Sequence, residues 1–177
     1  METRNLAGLY DAAAMDWTQV RDRLDAGLEQ VPGSEDGPGR HTCWLTTINS
    51  DGSPHVTGVG AIWLDGSWFF ETGKGTRKGR NVARDPRCAM SVSTREFDLT
   101  VEGRASVVTD PGTVARLARL WAEGGWPCEV DGSGTALTAP YSAQSAGPPP
   151  WHVFGIDATS AFAVQTVDPH GATRWEF

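Results

Sequence analysis

The stretch Gly73–Arg87, GKGTRKGRNVARDPR, holds six of the chain's 15 basic residues: Lys74, Arg77, Lys78, Arg80, Arg84 and Arg87. Asp85 is the one acid among them, although the whole chain carries a formal net charge of −7. Thr76 is placed to cap a short helix over 77–84, its hydroxyl accepting an orphan backbone N–H. The start of such a helix favours an anion through its free amides and its dipole. Arg77 and Lys78 in the first turn disfavour the helix alone by a few tenths to about 1 kcal/mol each. An anionic ligand reverses that sign. A solvated helix face with ordinary surface charges is the competing reading, and spacing alone leaves both open.

A second stretch, VTGVGAIW, puts Gly58 and Gly60 inside an apparent strand. Interior strand glycines mark either a bend or the close approach of a ligand to the backbone. A flat ring laid along this strand would be read by its main-chain groups. Motifs that supply a side-chain nucleophile, a metal site or a phosphate loop are absent: there is no His-x-x-x-His pair, no G-x-S-x-G and no Walker-type loop. His41 and His55, at strand starts, read as solvated imidazoles. Any reaction is therefore expected to be carried by a bound cofactor.

The totals exclude other classes. A pI near 5.0 argues against nucleic-acid binding. Cys43, Cys88 and Cys128 are too far apart for a zinc motif or a disulfide framework, which suits a reducing cytosol. The opening residues lack the pattern of a secretion signal. No run approaches the ~18 apolar residues of a membrane span. Cytoplasmic localisation is the expectation.

The elements that must hold these residues are mostly strands. Leu6, Leu9, Tyr10, Trp17, Val20, Leu24 and Leu28 recur at helical spacing, so residues 1–39 are expected to be a helical extension ended by PGSEDGPGR. Residues 40–177 form the body. Strands are expected over 41–48, 55–64, 67–72, 87–94, 97–108, 151–156, 160–167 and 172–177, with Asp-Gly turns at 51–52 and 65–66. A helix over 110–124 has Asp110 as cap and Pro111 at its first position, with Val114, Leu117, Leu120 and Trp121 on one face. Residues 125–150 read as a long loop. The expected fold is mainly β (α+β): a barrel-like antiparallel sheet with a few peripheral helices, closed so that no edge is left exposed.

In order, INSDGSPHVTGVGAIWLDGSWFFET, TRKGRNVARDPRCAMSV, LTVEGRASVV and the tail ending GATRWEF resemble the split β-barrel, FMN-binding-protein-like superfamily of the pyridoxamine 5′-phosphate oxidases. The similarity is to its branch that uses flavin or the deazaflavin coenzyme F420, and it covers roughly Arg40 to Phe177. It implies a homodimer with cofactor sites at the interface, and an oxidoreductase that passes hydride to a planar conjugated small molecule. Coenzyme F420 is the first choice of cofactor and FMN the second. The backbone of Val56, Thr57, Gly58 and Val59 would line the ring, with Glu71 and Thr72 near the ring or the ribityl chain. Thr76, Arg77 and Lys78 would hold the phosphate, with Asn81 one turn further on. Arg174 and Trp175 would close over the ring or come from the partner subunit; on its own, Trp175 reads as a buried strand aromatic. For the Pro-rich loop, with Trp126, Tyr141 and Trp151, two readings stay open: a cover over the substrate side, or an ordinary surface loop. Val56 stands where the oxidases place a basic phosphate ligand, Ala61 where they place a substrate-contacting lysine, and their terminal R-x-H is absent. The resemblance therefore does not extend to pyridoxamine phosphate oxidation itself. A non-catalytic flavin- or F420-binding or storage protein is an alternative. So is a haem-binding split barrel, for which His41, His55 and His152 are the available imidazoles.

Overall fold

The structure is a computed structural model that describes residues 1–28, 30, 42–142 and 145–177. The expected Gly/Pro break, His41 and the division between residues 39 and 40 lie outside the described residues. In chain order the elements are β1 (Glu2–Asn5), α1 (Trp17–Asp25), β2 (Cys43–Ile48), β3 (Pro54–Val59), β4 (Ile62–Leu64), β5 (Ser67–Thr72), α2 (Arg77–Arg84), β6 (Arg87–Ser93), β7 (Phe97–Val107), α3 (Pro111–Glu123), β8 (Glu129–Val130), β9 (Ala136–Thr138), β10 (Trp151–Gln165) and β11 (Ala172–Glu176).

All strand pairs among these are antiparallel, and β10 organises them. One edge of β10 follows β7. Its other edge is shared: residues 152–156 pair with β5, and residues 160–164 pair with β11. The register shifts between Ala158 and Ser160, so the expected break between two strands is a bulge in one 15-residue strand. The circuit β2, β3, β4, β5, β10, β7, β6 and back to β2 is hydrogen-bonded at each step except one. That step is the covalent bend at Gly60–Ala61 between β3 and β4, where one continuous strand was expected. The barrel is split there, and the far edge of β3 ends the hydrogen-bonded path of the sheet. Asp65 and Gly66, both at positive φ, make the two-residue β4–β5 turn that Asp-Gly favours.

Alternation places Leu45, Met90, Leu99, Val101, Phe70 and Phe154 inside this ring. Phe70 and Phe154 stack with centroids 5.2 Å apart. A second apolar cluster lies outside it, where α3 sets Val114, Leu117, Ala118 and Trp121 against Leu137, Trp151 and Val153. Leu120, expected on that face, is exposed and Ala118 takes its place. The Trp121 indole donates to Gly60 O at 2.8 Å, so α3 covers the bend between β3 and β4. The expected long loop contains two strands, since β8 and β9 pair with each other and β9 pairs with β10.

The opening segment departs from its helical reading. β1 pairs with β11, Thr3 opposite Trp175, and Leu9 and Tyr10 are exposed. Helix begins only at Trp17, where Asp16 Oδ1 accepts from Thr18 N at 2.8 Å, and it buries Val20 and Leu24.

Candidate functional site

α2 forms where the Thr76 cap placed it. Thr76 Oγ1 accepts from Gly79 N at 3.1 Å, donates to Gly73 O at 2.9 Å and bonds Thr72 Oγ1 at 2.8 Å. Its hydroxyl is thus committed to fixing the end of β5 to the start of α2. The glycines allow the tight approach. A Cβ at Gly79 would lie 2.5 Å from Gly73 O, and one at Gly73 would lie 2.9 Å from Ala146 O.

The basic residues divide by direction. Lys78 points inward, is 3% exposed, and donates through Nζ to Ser145 O and, at 3.2 Å, to Ser145 Oγ. Ser145 Oγ reaches Gly58 O at 3.1 Å. Ser145 therefore links α2 to the edge of β3 that no described strand pairs with, the backbone expected to meet a ring. Val56 is exposed; Thr57 and Gly58 are half-buried; Val59 is buried. A side chain at Gly58 would meet Thr42 Cγ2 at 3.0 Å, so tight packing accounts for that glycine.

Glu71 is buried beside this group, and its Oε2 has no hydrogen-bond partner among the described residues. Burial pushes its carboxyl up to about 7, while the charge of Lys78 acts in the opposite direction. The same burial lowers Lys78, and Glu71 opposes that. We take the two as an electrostatic pair without a direct bond. Thr72 is buried at the end of β5.

Arg77, Arg80, Asn81 and Arg84 face the β2–β3 turn across a groove of about 480 Å³ that also takes in Asn49, Ser50 and Asp51. Asn81 is not free to meet a ligand: it is buried and donates to Thr47 Oγ1 at 3.0 Å and Asn49 Oδ1 at 3.1 Å, clamping α2 to β2. Arg84 donates to Ile48 O and Arg80 to Gly75 O. Each guanidinium has five N–H donors, so both keep donors for another acceptor. Lys74 lies elsewhere, at a cavity of about 650 Å³ bounded by Gly73–Thr76, Gly147–Pro150 and His152.

Arg174 and Trp175 are not brought to this site within the chain. Arg174 lies opposite Phe162, while Thr72 lies opposite His152. That is ten residues along β10, roughly 33 Å of extended strand. Arg174 pairs with Glu102 at 3.1 Å and Glu176 at 3.2 Å. Trp175 has no exposed surface and packs on Trp17 with centroids 5.2 Å apart, the core position its strand suggests. Trp151 is likewise core, against Trp126, whereas Tyr141 is exposed. Ser145 was not legible as a partner of Lys78, since 67 positions separate them.

Residues 36–165 match the family model described as pyridoxamine 5′-phosphate oxidase. The chain belongs to that family. Solved structures of this oxidase-like split barrel share its α+β fold. PhzG from Burkholderia lata, solved with tetrahydrophenazine-1-carboxylic acid, is 15% identical with a TM-score of 0.60, over 95% of this chain and 90% of that one. A conserved hypothetical protein from Mycobacterium tuberculosis is 22% identical with a TM-score of 0.56, over 85% and 84%. An FMN-binding, pyridoxamine 5′-phosphate oxidase-related protein from Nostoc punctiforme is 14% identical with a TM-score of 0.51, over 77% and 81%. No curated protein matches significantly in sequence. As a member of the oxidase family, the chain places its basic helix and its β3 edge inside the matched region.

Proposed function

We propose that this family member is an oxidoreductase that binds a flavin-type cofactor, coenzyme F420 before FMN, and reduces a planar conjugated small molecule. The observation that carries the reading is the convergence of Lys78, through Ser145, with the edge of β3 that no described strand pairs with. Three features fit a flat ring with an anionic tail. The outer edge of β3 offers main-chain groups to the ring. Lys78 offers charge to a phosphate, and Arg77 offers charge on the side of the groove. Glu71 supplies a buried carboxyl with an unmet hydrogen-bonding atom.

When bound, a reduced cofactor of this kind supplies a hydride, and a proton completes the reduction of the substrate. The protein's part is to orient and to exclude water. Val56–Val59 would set the plane of the ring, and Thr72 and Thr76 fix the turn from which α2 starts. Burial raises the Glu71 carboxyl to about 7, which favours its neutral form relative to an exposed glutamate. The preference for the deazaflavin comes from the Arg77, Arg80 and Arg84 groove, whose three guanidiniums suit a tail with several negative charges.

The partner in this reading is a second copy. Trp44 and Val56 are exposed on the same outer face, since Trp44 lies opposite Gly58 and Val56 opposite Thr46. That face adjoins the β3 edge, so a dimer would bring a second surface to the ring, and Arg174 could arrive only that way. No described helix is long and apolar enough to cross a membrane. The three cysteines are free and buried, in keeping with the cytoplasmic location we favour.

Steady-state oxidation of reduced F420, followed by its absorbance against a panel of enones and quinones, tests the activity. Turnover with at least one member supports an enzyme. Tight binding with no hydride transfer across the panel would favour a binding or storage protein instead.

A further inference from the structure

The cavity beside Lys74 is separate from the contacts of Lys78. The chain segment Ser145–Gly147 divides them: Ser145 faces Gly58 and Lys78, while Gly147 and the prolines after it face Gly73–Thr76. We infer that this cavity binds a small planar carboxylate, with Lys74 meeting the charge and Pro148–Pro150 and His152 flanking the ring. Its volume of about 650 Å³ falls in the range of small-molecule sites.

The lining argues for that chemistry. Three successive prolines present ring faces and no N–H donor, so this wall recognises shape and apolar surface. Two side chains supply charge and polarity. Lys74 is exposed at the rim. His152 Nδ1 is shut off from solvent and has no partner among the described residues. Burial and the nearby charge of Lys74 lower the imidazole below its usual value, against the attraction of Asp131. The neutral imidazole adds no charge to the cavity wall, which leaves Lys74 to meet the carboxylate. The amides of Lys74 and Gly75 also lack partners among the described residues and sit in the same turn. A Cβ at Gly75 would meet nothing within 4 Å, so the cavity is open on that side.

Because Ser145–Gly147 divides the cavity from the β3 edge, this ligand is not the hydride acceptor of the hydride-transfer reading. Binding is independent of that reading, so it is measured on the full chain without cofactor. The probe is trans-cinnamate, with cinnamamide and inorganic phosphate as controls, followed by amide shifts in ¹H–¹⁵N spectra. The amides of Lys74, Gly75, Gly147 and His152 are expected to move together in one saturating transition. Lys74→Met should weaken cinnamate about fivefold, the upper range for an exposed ion pair. His152→Phe keeps a flat flanking ring and should leave the affinity within about twofold. Cinnamamide should bind the parent protein about as weakly as cinnamate binds the Lys74→Met variant. The inference is overturned by an absence of shifts at these amides at millimolar cinnamate, or by shifts confined to other residues. Unchanged affinity in Lys74→Met, or an equal response to phosphate alone, would overturn it as well.

Discussion

Lys78, on α2, gives its ammonium to Ser145 from the loop before β10, and the Ser145 hydroxyl in turn meets Gly58 O at 3.1 Å. One loop residue thus holds together the two parts of the site that a cofactor would engage. A phosphate arriving at Lys78 would compete with Ser145 for its three N–H donors. Two substitutions separate grip from obstruction. Lys78→Ala should weaken F420 binding by about 1.5–3 kcal/mol, the loss of a charge-assisted contact. Ser145→Ala should tighten it up to about tenfold, because the loop loses a hydrogen bond to β3. Fluorescence titration reads both, and unchanged affinity in Lys78→Ala would remove Lys78 from the grip.

Glu71 makes stability depend on pH. Its carboxyl is raised from 4.5 to about 7 in the fold, so the folded state holds its proton where the unfolded chain releases it. The stabilisation is fully present below about 4.5 and is lost as pH rises to about 7. The loss is at most on the order of 3 kcal/mol. Glu71→Gln should flatten this part of the curve in urea denaturation at pH 5, 6 and 7. A variant with the same slope as the parent would show that Glu71 titrates normally.

The turn below α2 tests the packing argument. Gly79→Ala forces a Cβ to 2.5 Å from Gly73 O and should cost about 1–3 kcal/mol. Gly75→Ala meets nothing within 4 Å and serves as the control. Equal melting temperatures for the two variants would contradict the close contact.

Trp175 is placed in the core rather than over a ligand. Trp175→Ala should lower stability by about 3–5 kcal/mol, as for other large aromatic truncations. Chemical denaturation measures it. A near-neutral result, with lost cofactor affinity instead, would return Trp175 to the ligand.

Local chemistry was legible from the sequence and distant pairing was not. Thr76 and Asp110 announce their helices because a cap acts within three residues. β5 falls where the turn residues bound it. β1 gave no alternating signal, since all four of its residues are exposed, and its partner lies at the other end of the chain. The middle of β10 falls between two expected strands, 151–156 and 160–167, and Asp157 and Thr159 are exposed there at the bulge. In the site, the type and number of cations were legible, but not their directions. Helical position sends Arg77, Arg80 and Arg84 to one groove and Lys78 to the interior, and only the fold brings Ser145 to Lys78.

Competition between F420 and FMN, followed by ring fluorescence at low and high salt, tests the cofactor assignment most directly. F420 should bind more tightly by about fivefold or more, through the exposed guanidiniums of the groove. The advantage should shrink at high salt and in Arg80→Gln. Tighter binding of FMN at both salt concentrations, or binding of neither, would contradict the account.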